Sequence, residues 1–399
     1  MNNDLERFIS FTESGRFYEV KKIRSHLYPY SEKGYSFLEL CCYYGAVDCF
    51  KFLRTKFNSE ITRKCLEFSF LGGNPEIMSE CLKYQKPNKD CMKYAIISHN
   101  IDFVTFLMNE YNLKIVLESC VKYKNLESFF VVFDQTNDAD ICFYYSINFN
   151  VLLLYEYFLP YCSNINKKYK YEQTALHIAT YKNEYMVELL LSHGATVSEK
   201  DQSGKTALHY AAEYNCERTA ELLLSHGVNI NEKDRFGKTA LHIATEKNYI
   251  EIAKLLISHG ATVNGKDVYH MTALHYVIRN KNEYIVELLL SHGATVSEKD
   301  QSGKTALHYA AEYNCERTAE LLLSHGANIN EKDNFGQTAL HIAAEYNRER
   351  TAELLLSHGA NIKEKDKYKQ TALQLATDYN CKATARLLIR YANACETQW

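Results

Sequence analysis

The stretch Thr206 to Gly227 reads TALHYAAEYNCERTAELLLSHG, and near copies of it fill the C-terminal half of the 399-residue chain. Its opening Thr returns at Thr239, Thr272, Thr305, Thr338 and Thr371, a period of 33 residues. A seventh copy opens at Thr174, only 32 residues before Thr206, because TALHIATYKNEYMVELLL lacks one residue between its two apolar halves. A different turn is expected there. A fixed period of this size marks a stacked architecture in which each unit buries its apolar faces against its neighbours. Within the quoted unit, Leu208, Ala211 and Ala212 give a first helix a narrow face of small residues, and Ala220, Leu222 and Leu223 give a second helix its buried side. Thr206 stands where an N-cap belongs. Asn215 and Gly227 stand where left-handed backbone ends each helix. Asp201 and Gly204 frame a type I turn at the tip of a hairpin between units.

The T-x-L-H-x-A opening at a period of 33 resembles the ankyrin repeat family, with two departures. Ala207 replaces the more usual Pro, which removes a pre-set φ and breaks nothing. Asn replaces the more usual Gly at Asn215, Asn248, Asn314, Asn347 and Asn380, and Lys281 is the exception. The resemblance implies an all-α solenoid of stacked helix pairs with short β-hairpin loops as its only extended structure. It also implies a concave surface, lined by the hairpin tips and the exposed side of the first helix, that holds other proteins. Among near-identical repeats the tips are what varies. Arg235, Phe236, Tyr269, Asn334, Phe335 and Tyr368 are therefore the candidate partner-binding residues, joined by a second row at Tyr214, Tyr313 and Tyr346 with Tyr379, since aromatics and Arg dominate interface hot spots. His270 and Lys369 take the place of Gly204 in two tips, so altered turns are expected there.

From this array the reading extends in both directions. Asn183 to Gly237 matches Asn282 to Gly336 except at three positions, 99 residues apart, which marks a duplicated three-repeat block. Its two like faces could engage a dimeric or repetitive ligand. In the last unit Gln374 replaces the His, and Lys382, Arg386 and Arg390 charge the side where another repeat would stack, the mark of a terminal cap. The array is thus assigned to residues 165–399. Upstream, residues 36–164 lose the TALH signature but keep five segments with two apolar halves and a break. Aligning Asp48, Glu76, Asp102, Glu127 and Leu152 gives steps of 28, 26, 25 and 25 residues, enough for two short helices and a turn. Helix pairs stacked like ankyrin repeats with their loops cut back are expected, and an unrelated helical bundle is the alternative. This segment resembles the uncharacterised domain that precedes ankyrin arrays in trichomonad proteins. Residues 1–35, with Leu5, Phe8, Ile9 and Phe11, read as a capping segment built on a short amphipathic helix.

Composition narrows function further. A net charge of -3 offers no broad basic surface for a phosphate backbone, so nucleic acid is not an expected partner. The thirteen cysteines show no framework and no C-x-x-C pair, as in reduced intracellular proteins. No signal peptide is read at the N-terminus, and the most apolar run, Val151 to Leu159, is too short to span a membrane. A soluble, cytoplasmic monomer with protein partners of unknown identity is expected.

Chemistry is harder to find. His209, His242, His275, His308 and His341 are one position copied in every repeat, about 8 to 10 Å apart between neighbouring helices, too far to share a metal. They are expected to bond to the backbone of neighbouring units. No P-loop, dinucleotide fingerprint, G-x-S-x-G or H-E-x-x-H occurs, and Ser225 with His226 are chain neighbours on a helix end. The expectation is a non-catalytic scaffold or adaptor with no cofactor and no metal. The alternative is a regulatory or substrate-recruiting array attached to an N-terminal domain with an activity of its own.

Overall fold

The computed structural model describes residues 4–14, 22–25, 28–29 and 34–396. The chain divides into two compact units, Met1–Ser163 and Asn164–Trp399. Helices account for the regular structure of both, and no β-strand occurs among the described residues beyond a single antiparallel bridge between Ile23 and Tyr35.

In the first unit the five segments fold as five helix pairs. They are Phe37–Tyr44 with Val47–Lys56, Arg63–Gly72 with Pro75–Leu82, Lys89–Ile97 with Ile101–Tyr111, Leu117–Tyr123 with Leu126–Thr136, and Ala139–Ser146 with Leu152–Phe158. The first helices of successive pairs pack on one another. Asp48, Glu76, Asp102 and Glu127 each lie in the first turn of the second helix of their pair, where a carboxylate meets the positive end of the dipole. Leu152 instead opens its helix, one position early in that alignment. Glycine permits the tight join of the first two pairs: a Cβ on Gly72 would lie 2.1 Å from the carbonyl oxygen of Cys42, and one on Gly45 would lie 2.4 Å from that of Gly72. The core is aromatic and thiol-rich, with Phe68, Phe70, Phe129, Phe143, Cys42, Cys65, Cys81 and Cys91 all buried. The amphipathic helix is Leu5–Glu13, and its buried Phe8 meets Phe37 and Phe52 edge-on. Much of the remaining capping segment lies outside the described residues.

Two buried carboxylates tie these pairs together. Glu39 accepts the Ser36 N–H at 2.8 Å, closing a capping box, and also the hydroxyl of Thr62, the N-cap of the next pair, at 2.8 Å. Glu67 accepts the side-chain amide of Asn88, the next N-cap again, at 3.0 Å, and pairs with Lys64.

The second unit contains seven helix pairs. They are Ala175–Thr180 with Glu184–Ser192, Ala207–Tyr214 with Glu217–Ser225, Ala240–Lys247 with Ile250–Ser258, Ala273–Ile278 with Glu283–Ser291, Ala306–Tyr313 with Glu316–Ser324, Ala339–Glu345 with Glu349–Ser357, and Ala372–Asp378 with Lys382–Glu396. Leu208, Ala211, Ala212, Ala220 and Leu223 are buried as the periodicity predicts. Leu222 is only half-buried, because the buried stripe of its helix runs through Thr219, Ala220 and Leu223 and leaves Leu222 on the flank. In the first pair no residue of the shortened connection takes a positive φ, whereas Asn215, Asn248, Lys281, Asn314, Asn347 and Asn380 all do, between 55° and 63°.

Asparagine does more at that position than tolerate the left-handed turn. The side-chain oxygen of Asn314 accepts from the Thr351 hydroxyl of the next unit at 3.1 Å, and Asn347 accepts from that of Thr384 at 3.3 Å. Glycine could not make these ties. In the final helix Lys382, Arg386 and Arg390 are exposed along with Ile389.

Candidate partner-binding surface

Each tip is organised by one aspartate. Asp201 Oδ1 accepts the N–H groups of Ser203 and Lys205, both at 2.8 Å, while its own N–H donates to the Lys205 carbonyl at 2.9 Å. The hairpins are thereby reduced to their turns. Asp234, Asp267, Asp300, Asp333 and Asp366 repeat the arrangement, and all six are buried. The altered turns expected at His270 and Lys369 do not occur. His270 and Lys369 take φ of 60° and 64° where Gly204 takes 75°, and each donates its N–H to the carbonyl of the tip aspartate at 3.1 Å. The aspartate's bonds over-determine the turn, so it survives a residue that prefers another conformation.

Adjacent tips are hydrogen-bonded in series. The N–H of Gln202 donates to the Tyr171 carbonyl, Arg235 to Ser203, Val268 to Phe236, Gln301 to Tyr269, Asn334 to Ser302 and Lys367 to Phe335, at 2.8 to 2.9 Å. The approach is close enough that a Cβ on Gly237 would lie 2.9 Å from the Val268 nitrogen. Behind the tips, Lys200 Nζ reaches the Lys233 carbonyl at 3.1 Å and Glu232 at 2.7 Å, and the step repeats from Lys299 to Lys332 and from Lys332 to Lys365. The tips therefore form a continuous rail and not a set of independent loops.

Along this rail the aromatic candidates stand clear of their neighbours. Phe236, Tyr269, Phe335 and Tyr368 are 55%, 51%, 51% and 71% exposed. Arg235 is exposed beside Phe236. Asn334 is exposed too, but its amide donates to the Gln301 carbonyl at 3.0 Å, so it serves the rail. One further member was not foreseen: Tyr171, three residues before Thr174, is 60% exposed in the first tip. The same offset from Thr239, Thr272, Thr338 and Thr371 gives the other four aromatics. The signal was obscured because that tip, Tyr169 to Glu172, has neither the leading Asp nor the Gly.

The second aromatic row is partly spent on packing. Tyr214 stacks on Tyr181 with ring centroids 4.7 Å apart, Tyr313 lies parallel to Tyr309 at 6.4 Å, and the Arg348 guanidinium sits 6.0 Å from the Tyr346 ring centre. Tyr214 and Tyr346 remain exposed, and Tyr313 is half-buried. Beside this row, Lys205 pairs with Glu213, Lys238 with Glu246 and Lys304 with Glu312, at 2.6, 2.8 and 2.7 Å. The fourth unit departs, with Met271 and Arg279 in those places and Arg279 5.8 Å from the Tyr313 ring centre.

The repeated histidine decides what this framework is. The Thr206 N–H donates to His209 Nδ1 at 3.1 Å, so the imidazole completes a capping box from the third helical position, where Glu or Gln is usual. With Nδ1 accepting, the proton sits on Nε2, which donates to the Lys238 carbonyl of the next unit at 3.0 Å. His242 reaches Gly265, His308 reaches Gln337 and His341 reaches Gln370 in the same way, while His275 keeps the capping half alone. In the seventh unit Gln374 caps Thr371 through its carbonyl oxygen at 2.8 Å. Burial pushes these imidazoles below the ordinary histidine range, holding them neutral. The sequence model of ankyrin repeats matches this pattern in overlapping blocks at residues 141–234, 187–267, 229–300, 266–333 and 326–398.

The chain belongs to the ankyrin repeat family. The matched region begins at residue 141 and so reaches back into the last helix pair of the first unit. Residues 57–132 match a domain of unknown function, DUF3447. No curated protein matches the chain. Ankyrin repeats generally mediate protein–protein interaction and are generally non-catalytic, which supports a scaffold or adaptor role. The second histidine row fits this: His226 Nδ1 lies 2.8 Å from the Leu222 carbonyl and Ser225 Oγ donates to that same carbonyl at 2.8 Å, so both side chains serve the helix end. Among the described residues no helix is long and apolar enough to cross a membrane, and no three His, Cys, Asp or Glu side chains gather as a metal site requires.

Proposed function

We propose that the ankyrin array is a non-catalytic scaffold that holds protein partners on its rail of hairpin tips, with Tyr214, Tyr313 and Tyr346 on the first helices as flanking contacts. The observation that carries this reading is the row of five aromatic side chains, Tyr171, Phe236, Tyr269, Phe335 and Tyr368, each more than half exposed on a backbone-bonded rail. Large exposed rings gathered in one row are costly to leave in water and are the residues that dominate interfaces. A rail already held by hydrogen bonds loses little conformational freedom when a partner docks. A catalytic role is not proposed, because the buried histidines are spent on caps and carbonyls.

Replacing Phe236 and Phe335 together by Ala tests this. Partner capture from a lysate of the native organism, read by mass spectrometry, should fall while circular dichroism and the denaturation midpoint stay within about 0.5 kcal/mol of the parent, as for exposed positions. Undiminished capture by the double variant would sink the assignment of the tips.

A further inference from the structure

The rail carries a charge opposite to that of the protein. From the second tip onward the exposed charges at the tips are Arg235, Lys367 and Lys369, with His270 as a further imidazole, and no carboxylate is exposed among them. The six tip aspartates are buried and committed to backbone N–H groups. Arg235, Lys367 and Lys369 make no ion pair among the described residues, whereas the lysines behind them pair with Glu232, Glu331 and Glu364. Beside the second aromatic row the charges are mixed: Glu345 and Asp378 meet the side-chain amides of Gln337 and Gln370, while Arg279 and Arg348 lie against the Tyr313 and Tyr346 rings. In a chain of net charge -3 these three cations form a positive lip free of exposed carboxylates, above a row of mixed charge.

We infer that this lip is the seat of an acidic, extended segment of a protein partner, an inference that rests on the scaffold reading above. Its spacing follows from the rail. Adjacent tips are set by helix packing about 10 Å apart, and an extended chain advances about 3.3 to 3.6 Å per residue, so one tip corresponds to about three residues. Phe236 and Tyr269 are adjacent tips, Ser302 leaves one gap, and Phe335 and Tyr368 are adjacent again. A docked strand would place apolar or aromatic anchors at about positions n, n+3, n+9 and n+12, with acidic residues flanking the first and last. That pattern is the same read in either direction, so it holds for both orientations of the strand. The exposed cations coincide with the outer anchors, Arg235 next to Phe236 and Lys367 and Lys369 on either side of Tyr368.

The test uses the full chain and three fluorescein-labelled synthetic peptides of about 16 residues, the length that covers the four anchors. One carries the anchor pattern with glutamates, one replaces every glutamate by glutamine, and one keeps the composition with anchors evenly spaced. An oligouridine of similar length serves as a fourth probe. Fluorescence anisotropy should show the patterned acidic peptide binding about tenfold more tightly than its glutamine counterpart, the gain of about three exposed ion pairs, and losing that gain at high salt. The variant R235Q/K367Q/K369Q should erase the preference with unchanged circular dichroism. K367Q/K369Q, confined to the last tip, should reduce it even if the triple variant folds poorly. Equal binding of acidic and neutral peptides, equal binding of the evenly spaced peptide, or tighter binding of oligouridine would overturn the inference. If Phe236→Ala/Phe335→Ala lowers partner capture while the peptides are not distinguished, the scaffold reading stands and this one falls.

Discussion

The two units meet the same problem, how to fasten one helix pair to the next, with links of opposite polarity. In the ankyrin array the link is an imidazole whose Nε2–H donates to a backbone carbonyl in the following loop, as His209 does to Lys238. At the first two joins of the N-terminal unit it is a carboxylate, which can only accept, and the following N-cap must supply the donor: the Thr62 hydroxyl for Glu39 and the Asn88 amide for Glu67. The difference follows from loop length. A long connection ending in a hairpin brings carbonyl oxygens to the next unit's threshold, so a donor is needed there. At the first two joins of the N-terminal unit the next pair presents a capping side chain, so an acceptor is needed, while later joins there use donors to carbonyls, as Asn125 does to Ile96. Glu39 also closes its own capping box, as His209 does. One device has been built twice from different chemistry.

The largest test of this contrast is pH. Six buried imidazoles, from His177 to His341, are held neutral by burial, so their folded values lie below the ordinary 6.5. Between the folded value and 6.5 the unfolded chain binds more protons, so stability rises with pH there. The contribution is whole above about pH 6.5 and is lost as pH falls, by up to about 1.4 kcal/mol per histidine per pH unit. In the N-terminal unit the one described histidine, His99, is exposed. Hydrogen exchange read by mass spectrometry should show protection in the array falling more steeply between neutral pH and about pH 5.5. Equal losses in both units would break the contrast.

A smaller effect is expected from exchanging the links themselves. His209→Gln keeps the cap, as Gln374 shows, but strands the Lys238 carbonyl, at a cost of about 1 to 3 kcal/mol in denaturant titration. Glu39→Gln turns one of two acceptors into a donor facing a donor, with a loss of similar size. A neutral Glu39→Gln would mean that the Glu39 link adds nothing to the packing of the first two N-terminal pairs. Smallest is the effect at two lysines held in left-handed backbone, Lys281 in the array and Lys124 in the N-terminal unit, with φ of 55° and 57°. Lys281→Gly should raise stability by about 1 kcal/mol by removing the Cβ penalty. Lys124→Gly should gain less, because Lys124 Nζ donates to the Asn148 carbonyl at 2.9 Å. Thermal denaturation of the two variants would rank them.

How much of this could be read from residues alone depended on copying. The array's framework was legible because each structural requirement recurs every 33 residues, so Thr206, His209, Asn215 and Gly227 declare their roles by repetition. Tyr171 escaped because its tip lacks the aspartate and glycine that mark the others. The turns at His270 and Lys369 were misjudged because glycine was taken as their determinant, when the buried aspartate is. The second role of Asn314 and Asn347 was hidden since a left-handed preference already explained them. In the N-terminal unit, apolar periodicity revealed the helix pairs, but Glu39 and Glu67 gave no sign of burial: a carboxylate on a helix reads as solvent-facing until its donors are located in space.

The lysine ladder behind the tips has a consequence for how such a gene can change length. Every tie in it joins a residue to its equivalent one unit on, as Lys299 Nζ does to the Lys332 carbonyl and Lys332 Nζ to the Lys365 carbonyl. Removing or inserting a whole unit therefore rejoins like ends to like, and each bond finds the same partner type across the new seam. The 32-residue step at Thr174 keeps the ladder, the cap and the histidine link as well, because its missing residue lies in the connection between the two helices and away from all three. Recombination between misaligned copies is self-correcting at the protein level, with the 33-residue unit as its reading frame, and the 99-residue duplication is one whole-number step of that kind.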